Sequence, residues 1–175
     1  MIWVYVLVGV VALLGLAFIV MHSLGSRLPK NHVASAKVAV PVAPQAAYDL
    51  LSDVDRYPQW AGVTSVEPLP DRSGQRAWRQ RMGRNAFVTI NTAARPPAEF
   101  ELTIDDDAQF FSGSWRYTLE PDGPVRTLIT LTEHGTIPGA IPRFVMRYLT
   151  GYDLYLKKQL SAVSKKLGGG AVSPA

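Results

Sequence analysis

The chain has 175 residues, is 47% hydrophobic, carries a formal net charge of +4 and contains no cysteine. Every Asp, Glu, Lys and Arg lies from Arg27 onward, so an uncharged stretch, residues 1–26, precedes a charged remainder. This split excludes a multi-pass channel, which needs further long apolar runs, and the plentiful aromatic and β-branched residues exclude a disordered chain. Without a thiol there is no disulfide framework, no Cys-ligated zinc and no thiol nucleophile.

Ile2 to Val20 reads IWVYVLVGVVALLGLAFIV and is apolar on every face. At about 1.5 Å per residue, about 20 such residues span the roughly 30 Å hydrocarbon core of a bilayer. Trp3 and Tyr5 sit at one end, where amphipathic rings favour the headgroup level, and Arg27 and Lys30 follow the other. A cleavable signal sequence is the rival reading, with Ser23-Leu24-Gly25 as a small-x-small site. The long run and the missing basic flank before it favour an uncleaved transmembrane anchor over residues 1–26. Arg27, Lys30 and Lys37 predict a cytoplasmic C-terminal side.

Residues 27–32 read as a short linker. Val33 to Val42 alternates, with Ala36, Val38, Val40 and Val42 on one face, which predicts a strand. Pro44 suits the first turn of a helix over Gln45–Ser52, and Asp53–Trp60 reads as a second helical turn. Strands are predicted over Val63–Leu69, Gln75–Met82, Ala86–Ala93, Glu99–Ile104, Phe111–Leu119 and Val125–Glu133, separated by Gly-, Pro- and Asp-containing turns. Arg76, Arg79, Arg81 and Arg84 form the densest basic stretch. Period-2 spacing puts Arg79 and Arg81 on one strand face, so they read as a solvated face and not as a nucleic-acid site. Asp105-Asp106-Asp107 reads as a solvated turn, since it lacks calcium-loop spacing.

Ile141 to Leu167 carries apolar residues at three- and four-residue steps, which predicts one long helix, and residues 168–175 read as a flexible tail. A helix that follows an antiparallel meander buries its stripe on one face of that sheet. The expected class is α+β, one domain over residues 33–167, with an apolar cavity between helix and sheet.

Val38-Ala39-Val40-Pro41-Val42-Ala43-Pro44-Gln45-Ala46-Ala47-Tyr48-Asp49-Leu50-Leu51-Ser52-Asp53, followed by Tyr57-Pro58-Gln59-Trp60, resembles the opening of the SRPBCC superfamily, the START/polyketide cyclase-like helix-grip group. The Gly113-Ser114-Trp115-Arg116-Tyr117 strand and the Thr127–Glu133 strand before the last helix fit as well. Tyr48 departs from the Trp or Phe frequent at that place in the first helix, and either fills a core. The resemblance covers Val33 to Leu167 and implies a helix-grip fold, a curved antiparallel sheet wrapped on a long C-terminal helix. For function it is broad, spanning lipid transfer, quinone binding and aromatic cyclisation. A single-pass anchor on such a domain resembles a bacterial subgroup, which implies the cell inner membrane.

Titratable chemistry is sparse. Only three histidines occur, and His22 and His32 flank the apolar segment. His134 stands beside Glu133, but neighbours on a strand point to opposite faces, which argues against an acid/base couple. No metal cluster, phosphate loop or nucleophile elbow is present, so no metal or cofactor is expected. Trp60, Trp78, Trp115, Tyr117, Phe144 and Tyr148 are the candidates to line an apolar pocket, with Arg143 and Arg147 at its mouth for an anionic headgroup. Each aromatic alone reads more readily as core packing. The group predicts a membrane-anchored binder of a lipid, quinone or polyketide-like molecule. An aromatic cyclase or dehydratase using His134, Glu133 or an Arg is the alternative, and a protein–protein adaptor the third.

Overall fold

The computed structural model describes residues 1–105 and 111–175. Asp106 and Asp107 of the expected acidic turn lie outside the described residues.

Helix α1 (Ile2–Ser26) is long and apolar enough to cross a membrane. Its residues stand exposed up to Val20, and burial begins only in the last turns, at Met21, Ser23 and Gly25. Strand β1 (Asn31–Val40) follows almost at once, two residues before the expected strand start. Lys30 accepts a backbone hydrogen bond from Ile137 at 2.8 Å, so the expected linker is tied down at its end.

Helix α2 (Pro44–Ser52) begins on Pro44 and buries Ala47, Tyr48 and Leu51, positions of one helical face. A 3-10 turn, Val54–Gln59, buries Val54 and Tyr57, and the Tyr57 hydroxyl donates to the Leu51 carbonyl at 2.6 Å. Then come β2 (Ser65–Arg72), β3 (Gln75–Met82), β4 (Asn85–Arg95), β5 (Glu99–Ile104), β6 (Ser112–Pro121) and β7 (Thr127–Thr136). The sheet has eight antiparallel strands in the order β2-β3-β4-β5-β6-β7-β1-β8. The eighth, β8 (Ser173–Pro174), pairs with Ala36 and Lys37 of β1. The tail therefore does not fray as expected: Gly170 donates to the Ala39 carbonyl and Ser164 to that of Gly170. These bonds give β1's free edge a partner.

The predicted long C-terminal helix is three pieces. Helix α3 (Ala140–Val145) runs into a π turn over Met146–Thr150, the chain breaks at Gly151, and α4 (Leu154–Leu167) continues. Gly151 adopts φ 80°, which a side chain disfavours and which ends the turn. Helix α4 ends at Gly168 in the left-handed conformation. It lays Leu156, Leu160 and Val163 on the inward residues Ala36, Val38, Val40, Ile129 and Leu131 of the sheet, and all of these are at most 1% exposed. The strand period of two thus meets the helix period of 3.6 in one core, and the fold is the α+β helix grip.

Candidate ligand-binding cleft

Between sheet and α4 the layers are packed shut. A hollow of about 10 Å³ lies there, bordered by Tyr57, Tyr117, Trp115 and Tyr155. The expected space between helix and sheet is filled by side chains along Leu156, Leu160 and Val163. The roomy space is a surface-open cleft of about 480 Å³ at one end of the sheet. Met82, Asn85, Ala86 and Phe87 of the β3–β4 hairpin form one wall, and Ile104, Phe111, Trp115 and Glu133 extend it across the sheet. Met146, Tyr152 and Tyr155 complete it from the broken helix. The break at Gly151 is what brings Tyr152 into this position.

Glu133 is the buried exception in an aromatic and aliphatic surface, at 4% exposure. On β7 the inward residues are Thr127, Ile129, Leu131, Glu133 and Gly135, so strand alternation alone carries an acid onto the core face. Trp115 stands directly opposite it on β6, and its indole Nε1 donates to Glu133 Oε2 at 2.7 Å. His32 of β1 pairs with Gly135, one step diagonal to Glu133, and its Nε2 lies 2.8 Å from Glu133 Oε1. A carboxylate only accepts, so the imidazole hydrogen sits on Nε2, and Nδ1 is buried without a partner. Tyr152 stacks on the imidazole with ring centroids 4.3 Å apart, and Phe111 tilts against it at 6.2 Å. Gly135 makes this possible: a Cβ there would lie 2.3 Å from the His32 ring.

Burial raises the Tyr155 phenol far above its ordinary range, with the nearby Tyr117 and Glu133 adding to it. Burial likewise raises Tyr117, partly offset by a hydrogen bond with Gln159. Both stay neutral and support the apolar character of the adjoining interior.

The six aromatic residues singled out from sequence go to different places. Trp115 lines the cleft. Trp78 and Tyr117 are core residues at 1% and 3% exposure, and the Trp78 indole donates to Asp55 Oδ1 at 3.0 Å. Trp60 packs edge-on against Tyr57 and borders a separate, more polar hollow of about 270 Å³ with Asp49, Asp53, Arg56 and Lys166. Phe144 packs at Gly25 of α1 and against Tyr148, which is itself exposed. Arg143 does not stand at a pocket mouth. It is buried and donates to the carbonyls of Gly25, Ile137 and Pro138, joining the end of α1 to the loop before α3. Arg147 is exposed. His134 points outward, opposite to Glu133, as strand alternation requires. The residue missed from sequence is His32. The β1 alternation through Ala36, Val38 and Val40, extended back two steps to Ala34 and His32, would have placed it on the inner face.

The family described as polyketide cyclase / dehydrase and lipid transport matches residues 40–151. No functionally curated protein matches the sequence. Among solved structures, an aromatase/cyclase from a Streptomyces species superposes with a TM-score of 0.65 at 15% identity, covering 79% of this chain and 94% of that one. A START superfamily protein from Mycobacterium smegmatis gives a TM-score of 0.62 at 18% identity over 78% of this chain and 97% of its own. Norcoclaurine synthase from Thalictrum flavum gives 0.60 at 10% identity over 78% and 92%. At these identities the superpositions show a common fold, and the match over residues 40–151 shows the kinship: the chain belongs to the polyketide cyclase/dehydrase and lipid-transport family.

Proposed function

We propose that this protein is a membrane-anchored binding or transfer module for a hydrophobic small molecule, of lipid, quinone or polyketide-like chemistry. The observation that carries the reading is the cleft of about 480 Å³ walled by Met82, Phe87, Ile104, Phe111, Trp115 and Met146. Ligand sites of this kind are mostly apolar with a few placed polar groups. The named activities of the aromatase/cyclase and START relatives are compatible with such a ligand.

The join to α1 supports exchange with a bilayer. Gly25 packs on Ala140 with no room for a side chain, and Arg143 bonds the Gly25 carbonyl at 3.0 Å. Helix α3, held this way, continues directly into the π turn whose first residue, Met146, lines the cleft. Tyr148 and Leu149 of the same turn expose 55% and 69% of their surface, apolar area suited to the interfacial layer. Because Gly25 is part of the packed structure, cleavage after it would strip Arg143 of an acceptor, which favours a retained anchor. The proposed location is the cell inner membrane with the domain on the cytoplasmic side.

Native mass spectrometry of the full chain tests the reading. It should show an additional apolar molecule of discrete mass, and Ala86→Trp, which fills the cleft without touching α1, should remove it. A bare protein mass in every preparation, or an adduct unchanged by Ala86→Trp, sinks the proposal.

The Glu133–His32 pair favours one second reading, proton transfer during cyclisation or dehydration of a substrate held in the cleft. Turnover of such a substrate that survives loss of both side chains would dispose of it.

A further inference from the structure

Glu133 is the sole acidic side chain lining the cleft among the described residues, and no Lys or Arg lines it with it. The other polar lining groups are neutral: the Asn85 amide and the phenols of Tyr152 and Tyr155. Both Glu133 oxygens are already oriented, Oε1 by His32 at 2.8 Å and Oε2 by the Trp115 indole at 2.7 Å. A carboxylate offers about four lone-pair sites, so each oxygen keeps one to give. The two N–H groups, by contrast, are spent on it. The His32 ring is 7% exposed and held by Tyr152 and Phe111, so it does not swing away to serve a ligand.

At Glu133 the cleft wall therefore accepts hydrogen bonds and donates none. A carboxylate or phosphate head would meet a negative charge with no cation beside it. An ether or ester oxygen would gain nothing. A hydroxyl would gain a charge-assisted hydrogen bond to a carboxylate that is itself buried, the strong kind of contact.

We propose that the cleft selects a neutral, otherwise apolar ligand bearing a hydroxyl, alcohol or phenol, which donates to Glu133, while His32 and Trp115 act as positioning residues that hold the carboxylate. This rests on reading the cleft as the binding site for a hydrophobic small molecule.

The test uses the full chain in zwitterionic micelles with its four tryptophans labelled at the indole nitrogen. The Trp115 indole signal reports on its bond to Glu133 and so on the cleft, whatever the probe does in the micelle. It is followed during titration with 1-naphthol, 1-methoxynaphthalene and 1-naphthoate, with free probe measured by dialysis. The expected result is a midpoint for 1-naphthol at least about tenfold below that for the methyl ether, and no saturable shift with the acid. In Glu133→Gln the preference should fall to about threefold or less while methyl ether binding is retained. Equal midpoints for naphthol and its ether in the unmodified protein overturn the proposal without any variant. So does a preference that persists in Glu133→Gln. If no probe moves the Trp115 signal at all, it is the reading of the cleft as a binding site that falls.

Discussion

Arg143 donates its Nε hydrogen to the carbonyl of Gly25 at 3.0 Å, joining residues 118 positions apart in the chain. The same guanidinium reaches the carbonyls of Ile137 and Pro138, at 3.0 and 2.7 Å, and is 5% exposed. A cation placed among three carbonyls near the end of α1 also meets the negative end of that helix. Helix α1 is thus built into the domain and does not hang from it by a tether.

Replacing Arg143 with Leu removes the side-chain donor from the Ile137 and Pro138 carbonyls and leaves Gly25 only its backbone donor from Leu28, at a cost of about 2–4 kcal/mol. Thermal unfolding in micelles should fall by at least about 5 °C. Arg143→Lys, with one point of charge and no fork, should fall in between. An unchanged melting temperature for Arg143→Leu would show that the clamp does not hold the fold.

Gly135 serves by its lack of a side chain. A Cβ there would come within 2.3 Å of His32 Cε1 and 2.7 Å of Phe111. Gly135→Ala should therefore displace the imidazole, break its bond to Glu133 and open its stack on Tyr152. The expected readout is a changed His32 ring resonance together with a shifted Trp115 indole signal, with the other three tryptophan indoles undisturbed. A crystal or NMR structure of Gly135→Ala with His32 still 2.8 Å from Glu133 would contradict this account of the site.

Legibility in the sequence followed the range of the forces involved. Alternation in β1 and the α4 stripe are local patterns, and they point to the strand, the helix and the core residues Val38 and Leu156. The break at Gly151 was not legible, because apolar spacing continues across it from Tyr148 to Tyr152 and Leu156. A glycine at that place reads equally as a tolerated helix residue. The site failed to show for a different reason. Glu133, Trp115 and His32 belong to three strands, and only the register that sets Trp115 opposite Glu133 and His32 opposite Gly135 brings them together. Phe144 and Arg143 looked like pocket residues because nothing in the sequence announces that α1 itself packs on α3.

Three buried phenols make the fold sensitive to alkali. Burial raises the pKa of Tyr57, Tyr117 and Tyr155 above the ordinary value of 10.0. Below pH 10 each phenol is protonated in folded and unfolded chains alike, and its contribution to stability is fully present. Above pH 10 the unfolded chain releases these protons while the folded chain keeps them, so stability falls as pH rises toward the folded pKa values. The slope reaches about 1.4 kcal/mol per pH unit for each phenol. Urea midpoints measured from pH 8 to 11.5 should be flat to about pH 10 and then drop. Tyr155→Phe should lessen the drop, since phenylalanine has no proton to lose. A midpoint that holds to pH 11.5 would mean that these phenols are solvated in the folded protein.

The proposed orientation follows from charge and can be read chemically, because the chain has no cysteine of its own. Arg27, Lys30 and Lys37 follow the apolar helix closely. Basic residues next to a span resist translocation, and this is the ground for proposing that the domain stays on the cytoplasmic face. Arg84 lies exposed in the tight turn between β3 and β4 and offers a site where a thiol disturbs no packing. Arg84→Cys in intact cells should react with a membrane-impermeant maleimide only after the inner membrane is opened. Ile2→Cys, at the other end of α1, should react once the outer envelope alone is permeable. The reverse pattern would put the domain, its cleft and the Glu133 contact on the outer side, and the ligand would then come from the outer leaflet.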